Sequence, residues 1–548
     1  MSTPSKPTEV EGVKTRSRHL RGSLVESLAD PLTGQIAADD THVIKFHGSY
    51  QQDDRDLREE RRLQKLEPAW SFMLRTRLPG GIATPAQWLL LDELGRQFGN
   101  GTLRLTTRQA FQIHGILKRD LKPTMQGLHR ALLDTFAACG DVNRNVMCHP
   151  NPVDSRVHAN VHGWAVKLSE HLLPLTQAYS EIWLDGEPVV SEVEPVEPIY
   201  GATYLPRKFK IAIAVPPDND VDVFAHDLGY IAVVDDGVLR GFNVTIGGGM
   251  GATHGDASTH PRLADVIGFV TPDQVLSIAE HVVGIQRDWG DRTNRKHARL
   301  KYTIEDRGLD VFVKELEQRS GIALAPVVAF DFVHNGDRFG LGTGHDGAHH
   351  LTLHIESGRL HARALDGLRE IAGFHRGDFR LTANQNLIIA GIVDDDLARI
   401  QAIVAAHDLD TAGRQRPVKN NALACVALPT CALAMAEAER ALPDLTARLE
   451  TLLVAHGVPD VPFHFRVTGC PNGCARPYLA EVALIGKAPG RYNLHVGGDR
   501  RGQRLNRLHT ENIDVDTVVG VLDGLLARFV TERSANEDFG DWSNRTQP

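Results

Sequence analysis

Four cysteines in the last quarter of the chain carry the clearest chemical signal. Cys425 and Cys431 sit in CVALPTC, and Cys470 and Cys474 in CPNGC. Thiolates ligate both structural zinc and iron–sulfur clusters, so ligand type leaves both open. Zinc knuckles usually hold two to four intervening residues, whereas these gaps hold five and three. Spacing therefore favours a four-iron cluster, with zinc and plain buried thiols as alternatives. Thr430 is placed to cap a helix starting at Cys431, whose N-terminus would stabilise a thiolate. Pro471, Asn472 and Gly473 form a tight turn that can aim backbone N–H groups at sulfur. Cys139 and Cys148 fit no ligand pair and read as core residues.

Cations give the second signal. Arg75 and Arg77 lie in MLRTRLPGG, Arg104 and Arg108 in LRLTTRQ, Arg144 in NRN, and Lys208 and Lys210 in YLPRKFK. Each stands in apolar or strand-like sequence, where an unpaired charge is costly to bury, so together they call for anionic partners. Taken singly, any of them could point to solvent from a strand face, and Arg77 reads as structural. The stretch TIGGGMGATHG has no GxGxxG frame, which argues against a nucleotide loop; Gly247, Gly248 and Gly249 suit close backbone approach to a flat ligand. His345, His349 and His350 have no further ligand nearby in sequence and read as ordinary loop or strand-edge residues.

Elements must position these groups. Thr84 and Pro85 open a helix carrying Leu90, Leu91, Leu94 and Phe98, which ends near Gly99. LRLTTRQAFQIHGI (103–116) then reads as extended chain around a short polar centre. It recurs as FRLTANQNLIIAGI (379–392), offset by 276 residues, and each copy leads to an Asn-rich approach to a cysteine, Cys148 or Cys425. Two unequal copies of one unit explain this. Copy one has Arg108 and His114 where copy two has Asn384 and Ala390, while copy two alone has the later cysteines. A pseudo-twofold assembly with one working site at its interface follows. The first forty residues read as a loosely held arm, and the charged run Gln51–Lys65 as a solvated helix or docking surface.

At 548 residues several packed units are expected. Lys plus Arg is 60 against 69 for Asp plus Glu, a net charge of −9. No global positive field draws the chain to nucleic acid or anionic membranes, so any anion site must be local. No apolar run spans a bilayer and no signal-peptide core opens the chain, so a cytoplasmic location is expected. Six cysteines are too few for a disulfide scaffold.

The motifs FHGSYQQDDRD, LRTRLPGG, LTTRQAFQIHGILK, DVNRNVMC, YLPRKFK, TIGGGMG, LTANQNLIIAG, PTCALAMAEAERALP, RVTGCPNGCARPYLAEVALIGKAPGRYNLH and FGDW together resemble the sulfite and nitrite reductase family. The likeness is strongest to its NADPH-linked assimilatory haemoprotein branch and runs from about Phe46 to Trp542. The resemblance implies an internally duplicated α+β fold. Its expected parts are an arm over 1–71, ferredoxin-like half-domains over 72–136 and 338–412, and siroheme or cluster domains over 137–337 and 413–548. It implies siroheme coupled to a [4Fe–4S] cluster, with Cys425, Cys431, Cys470 and Cys474 as cluster ligands and Cys474 bridging to siroheme. It implies sulfite held by Arg75, Arg144, Lys208 and Lys210, and siroheme contacts from Arg104, Thr106, Arg108, His114, Gly247, Gly248, Gly249, Asn472 and Arg476. The eight carboxylates of siroheme then give the buried cations their partners.

The implied activity is reduction of sulfite to sulfide in sulfur assimilation and cysteine biosynthesis. No nicotinamide or flavin motif is present, so electrons come from an NADPH-oxidising flavoprotein α-subunit, with ferredoxin the alternative donor. The alternatives in function are a ferredoxin-linked sulfite or nitrite reductase and a zinc-stabilised scaffold without activity. Lys210 favours sulfite, because nitrite-preferring relatives tend to carry Asn there.

Overall fold

The computed structural model describes residues 6–150, 155–175 and 197–547, together with the backbone of the short strands Trp183–Leu184 and Glu187–Pro188. Each copy of the repeated motif forms a hairpin. Leu103–Leu105 pairs with Phe111–Ile116, and Asp378–Leu381 pairs with Leu387–Ile392. The turns place Gln109 and Gln385 at φ 51° and 70°. Both hairpins sit within antiparallel five-stranded sheets. The first runs in the order Ser49–Asp53, Trp70–Arg75, Phe111–Ile116, Leu103–Leu105, Arg359–Leu360. The second runs Gly340–Thr343, His349–Leu353, Leu387–Ile392, Asp378–Leu381, Ile82–Ala83.

The outermost strand of each sheet is thus donated by the other copy. The two sheets share one core, and Trp88, fully buried, lies against both: edge-on to Phe111 at 5.6 Å and stacked on Phe379 at 4.7 Å. Trp88 belongs to the helix Pro85–Gln97, which opens as expected at Thr84 and Pro85, with Gln87 completing a capping box.

Duplication continues where the sequence no longer shows it. Met147–Cys148, Ile211–Ala214, Leu228–Asp235, Val238–Ile246 and Asp265–Val270 form a sheet with two parallel junctions followed by two antiparallel ones. Leu423–Ala424, Phe465–Thr468, Val482–Ala488, Arg491–Val496 and Arg507–Ile513 repeat that order and those directions. The offset falls from 276 at Met147/Leu423 to 254 at Ile211/Phe465, so copy one carries 22 extra residues between these strands. Helices including Arg156–His171 and Val275–Trp289 cover the first of these sheets, and Leu442–Ala455 and Val515–Glu532 the second.

Two expectations are corrected. The arm is not loose where it is described: Val13, Leu20, Val43, Ile44 and Phe46 are buried, and Lys14 donates to the Leu205 carbonyl at 2.7 Å and pairs with Glu11 at 2.6 Å. These apolar residues anchor the arm, which composition does not reveal, while Val25 and Leu32 stay exposed. Residues 1–5 lie outside the described chain. No helix starts at Cys431 either; residues 431–441 run as turns, and the helix begins at Leu442.

At the junction of the copies, Asp222 and Arg476 occupy equivalent positions, 254 residues apart, and both open a short 3-10 turn in the left-handed region, with φ 51° in each. Arg476 Nε donates to Asp222 Oδ2 at 2.5 Å, Arg466 Nη1 to the same oxygen at 2.9 Å and Asn335 Nδ2 to Oδ1 at 2.6 Å. Asp222 is fully buried, and although burial alone would raise its pKa, Arg466 and Arg476 hold it below the ordinary carboxylate range. Its stabilising contribution is complete above about pH 4 and drains as acid approaches the depressed value. We expect Asp222→Asn to cost about 3 kcal/mol by leaving two buried guanidiniums undercompensated, read as a fall in the thermal unfolding temperature at neutral pH. An unchanged melting curve would contradict this role.

Candidate functional site

The four C-terminal cysteines and most of the predicted cations line one cavity of about 250 Å³ between the copies. Copy two supplies one wall. Cys425 follows the strand Leu423–Ala424, and its sulfur accepts the Gly469 N–H at 3.3 Å. Cys431 receives the N–H groups of Leu433 and Ala434, and Cys470 that of Asn472, so the turn between the last two cysteines serves as its sequence suggests. Burial, then the neighbouring Cys474, raises the thiol pKa of Cys425 and Cys431 and pushes Cys470 up to about 12. Thiols so hard to ionise alone need a metal to become thiolates at neutral pH. Among the described residues no three His, Cys, Asp or Glu side chains converge as they would on one ion. Four sulfurs on one wall therefore suit a polynuclear cluster better than a lone zinc.

Copy one supplies most of the lining cations. Strand Trp70–Arg75 ends at Arg75, whose Nη1 lies 3.2 Å from Cys139 Sγ and whose Nη2 is 2.6 Å from the Gln112 amide oxygen once that amide is correctly oriented. Arg144 is held by the Gly140 carbonyl at 3.1 and 3.2 Å and by the Tyr50 hydroxyl at 3.5 Å. Lys208 and Lys210 line the same cavity. Withdrawal from water, followed by neighbouring cations, holds both well below the ordinary lysine pKa; those neighbours are Arg207, Arg144 and Arg299 for Lys208, and Lys208, Arg108 and Arg299 for Lys210.

The remaining predicted residues divide. Arg104, Thr106, Arg108, His114 and Asn472 line the cavity. Arg104 also bridges the copies, through Glu439 at 3.0 Å and the Ala424 carbonyl at 3.0 Å. Buried Arg108 Nε and His114 Nε2 have no hydrogen-bond partner among the described residues, as expected where a bound group completes the wall. Burial, then Arg359 and Arg104, keeps His114 far below the usual histidine pKa and hence neutral. Arg476 is spent on protein: besides Asp222 it donates to the Thr107 and Ala383 carbonyls at 3.2 and 3.0 Å. Gly247, Gly248 and Gly249 are not among the cavity's lining residues; a Cβ on Gly248 would lie 2.2 Å from the Phe224 carbonyl oxygen, and one on Gly249 would lie 3.1 Å from Arg299 Nη2. Close approach is needed there, but to protein atoms. Arg77, paired with Asp134 at 3.3 Å, is structural as expected. Two further voids, of about 20 and 230 Å³, share Lys208 and Asn472 with the cavity and Arg299 with each other.

Several lining residues escaped sequence reasoning. Tyr50 and Gln52 fall in or beside the charged run read as solvated, yet they lie on one face of the strand Ser49–Asp53 and reach the cavity. SYQQD shows no apolar alternation, so the sequence offered no signal for this strand. Arg55, in the same run, donates to the carbonyls of Cys431 and Ala434 at 3.2 and 2.6 Å. Only the helix Arg58–Leu63 is solvated as expected.

Comparison with known proteins agrees with this geometry. A nitrite and sulphite reductase 4Fe-4S domain matches residues 163–324, and a nitrite/sulfite reductase ferredoxin-like half domain matches twice, at 67–131 and 343–407. The chain is 64% identical over 547 residues to the sulfite reductase [NADPH] hemoprotein beta-component of Myxococcus xanthus, covering 99% of this chain and 97% of that one. The chain belongs to the nitrite and sulfite reductase family. The corresponding protein of Xanthomonas oryzae pv. oryzae is 58% identical over 543 residues, covering 98% and 96%. The structure of the Mycobacterium tuberculosis NirA protein superposes with a TM-score of 0.79 at 24% identity, covering 99% of this chain and 97% of that one, which shows the duplicated α+β fold. Within the family, this chain's 4Fe-4S domain match falls on copy one, while the four clustered cysteines lie in copy two. No helix among the described residues is long and apolar enough to cross a membrane.

Replacing Cys425, Cys431, Cys470 or Cys474 singly by Ser is expected to lower iron and acid-labile sulfide in anaerobically purified protein. Cys139→Ser and Cys148→Ser should retain both. Full iron content in the first four variants would remove them as ligands.

Proposed function

We propose that this chain reduces sulfite to sulfide in sulfur assimilation, with electrons from an NADPH-oxidising flavoprotein subunit. The observation that carries this reading is one cavity lined both by four thiols and by Arg75, Arg144, Lys208 and Lys210. Its cysteine set and its unpartnered Arg108 and His114 nitrogens fit a [4Fe–4S] cluster and siroheme, which Cys425, Cys431, Cys470 and Cys474 and the cations around Arg104 and Arg108 would hold. When bound, these groups supply the electron path and the iron at which sulfur is reduced.

The reaction consumes six electrons and seven protons for each sulfite dianion and yields HS⁻ and three waters. The chain must therefore fix negative charge and deliver protons. Arg75 and Arg144 remain charged throughout and are already oriented, Arg75 by Gln112 and Arg144 by Gly140, so they grip the oxyanion with little reorganisation. Lys208 and Lys210, with depressed pKa values, suit proton transfer to departing oxygens. An arriving dianion raises both pKa values, so binding loads the protons that the chemistry then uses. In the same cavity lining, His114 is kept neutral by burial and by Arg359 and Arg104 and can only relay or accept. Tight homology to hemoprotein beta-components, at 58–64% identity, supports the flavoprotein as donor.

Two measurements test this. Calorimetric titration with sulfite in buffers of different ionisation enthalpy should show net proton uptake near neutral pH, diminished in Lys208→Met. Binding without proton uptake would exclude the lysines as the proton store. Lys210→Asn should lower the ratio of kcat/KM for sulfite over nitrite by about tenfold; an unchanged ratio would show that Lys210 does not set substrate preference.

A further inference from the structure

The pseudo-twofold relation generates a second cavity, of about 340 Å³, lined by residues equivalent in part to those of the first. Thr352 pairs with Ile388 in the second sheet as Arg75 pairs with Gln112 in the first, so Thr352 stands where Arg75 would be. Asn384, in an adjoining recess, replaces Arg108. With the offset of 254 set by the strands Ile211–Ala214 and Phe465–Thr468, Asp218 and Asp220 stand at the positions of Asn472 and Cys474. The cavity has kept its shape relation to the first and reversed its charge.

Three carboxylates, Asp218, Asp220 and Asp337, line it. Asp218 is met by the exposed Arg338, at 2.8 and 2.9 Å. Asp337 accepts only from neutral donors: Thr382 Oγ1 at 2.6 Å, Asn386 Nδ2 at 2.7 Å and Asn384 Nδ2 at 3.1 Å. Asp220 is 2% exposed; its Oδ2 lies 3.3 Å from His149 Nδ1, and its Oδ1 has no hydrogen-bond partner among the described residues. A buried carboxylate oxygen left without a donor is costly, and here it belongs to a cavity wall. Leu341 and Ile388 add an apolar strip.

We propose that this second cavity binds an organic cation, an ammonium or guanidinium head on a short alkyl stem, with the head between Asp220 and Asp337 and the stem along Leu341 and Ile388. A lone metal ion is disfavoured, because no three ligating groups converge among the described residues. A head with several N–H donors spans separated carboxylates, and the apolar strip has a use only if the ligand has a stem. Such a head can come from a diffusible amine or from a Lys or Arg side chain of the flavoprotein subunit.

Agmatine, which carries both heads, serves as the probe in calorimetric titration of the full-length holoprotein. Saturable binding is expected, weakened at least about tenfold by Asp220→Asn, the loss of one charge-assisted contact. The absorbance spectrum and melting temperature serve as fold controls. Thr352→Arg, which puts a cation into the cavity from a different strand, should abolish binding and keeps the test intact if Asp220→Asn fails to fold. Competition between agmatine and the flavoprotein subunit would assign the head to that partner's side chain; simultaneous binding would assign it to a free amine. Absence of saturable binding to the wild-type protein, or equal affinity in Asp220→Asn and Thr352→Arg, would overturn the proposal.

Discussion

Burying positive charge is expensive, and this chain buries a great deal of it in one place despite a net charge of −9. The arrangement depends on how each cation is compensated. Arg476 and Arg466 share Asp222, Arg299 holds Asp227 at 2.8 Å, and Arg104 and Arg359 share Glu439. These ion pairs form a frame within the protein. Inside it, Arg108 Nε lacks a partner, and Lys208 and Lys210 pay for their position with depressed pKa values. The uncompensated remainder is what an anionic cofactor and an oxyanion substrate can satisfy, so affinity comes from charges that folding alone leaves unsatisfied.

Duplication supplies the frame twice and lets its contents diverge. Equivalent backbone positions carry Arg476 in one copy and Asp222 in the other, and these two meet across the junction. Two chemically identical halves would put like charges in contact there. With Asp in one copy and Arg in the other, that position carries one of the ion pairs that join the copies.

Much of this was legible in the sequence because it lies in short, strongly patterned segments. The hairpins showed themselves through LRLTTRQAFQIHGI and its repeat, the capped helix through Thr84, Pro85 and Gln87, and the cysteines through type and spacing. The second pair of sheets did not, because the strands Ile211–Ala214 and Phe465–Thr468 share a place in the fold but almost no side-chain identity. Tyr50 and Gln52 were hidden by charged neighbours, since composition averages over the two faces of a strand. The helix read at Cys431 failed because alanine-rich propensity in ALAMAEAERA yields to tertiary contacts, with the backbone N–H groups of Met435 and Ala436 both donating to the Gly469 carbonyl. The three glycines were read as marking close approach to a flat ligand; the protein neighbour nearest a Cβ on Gly248 is the Phe224 backbone.

The exchanged edge strands bear on synthesis. Leu103–Leu105 emerges from the ribosome more than 250 residues before Arg359–Leu360, which completes its sheet. Throughout that interval the nascent first half presents an open β edge, the kind of surface that recruits the wrong partner. Sheet closure waits on contacts of very long sequence separation, a slow class of event. Translation speed across the second half and chaperone cover over the first thus become determinants of yield, and truncated chains ending before residue 359 are left with a sticky, half-built molecule.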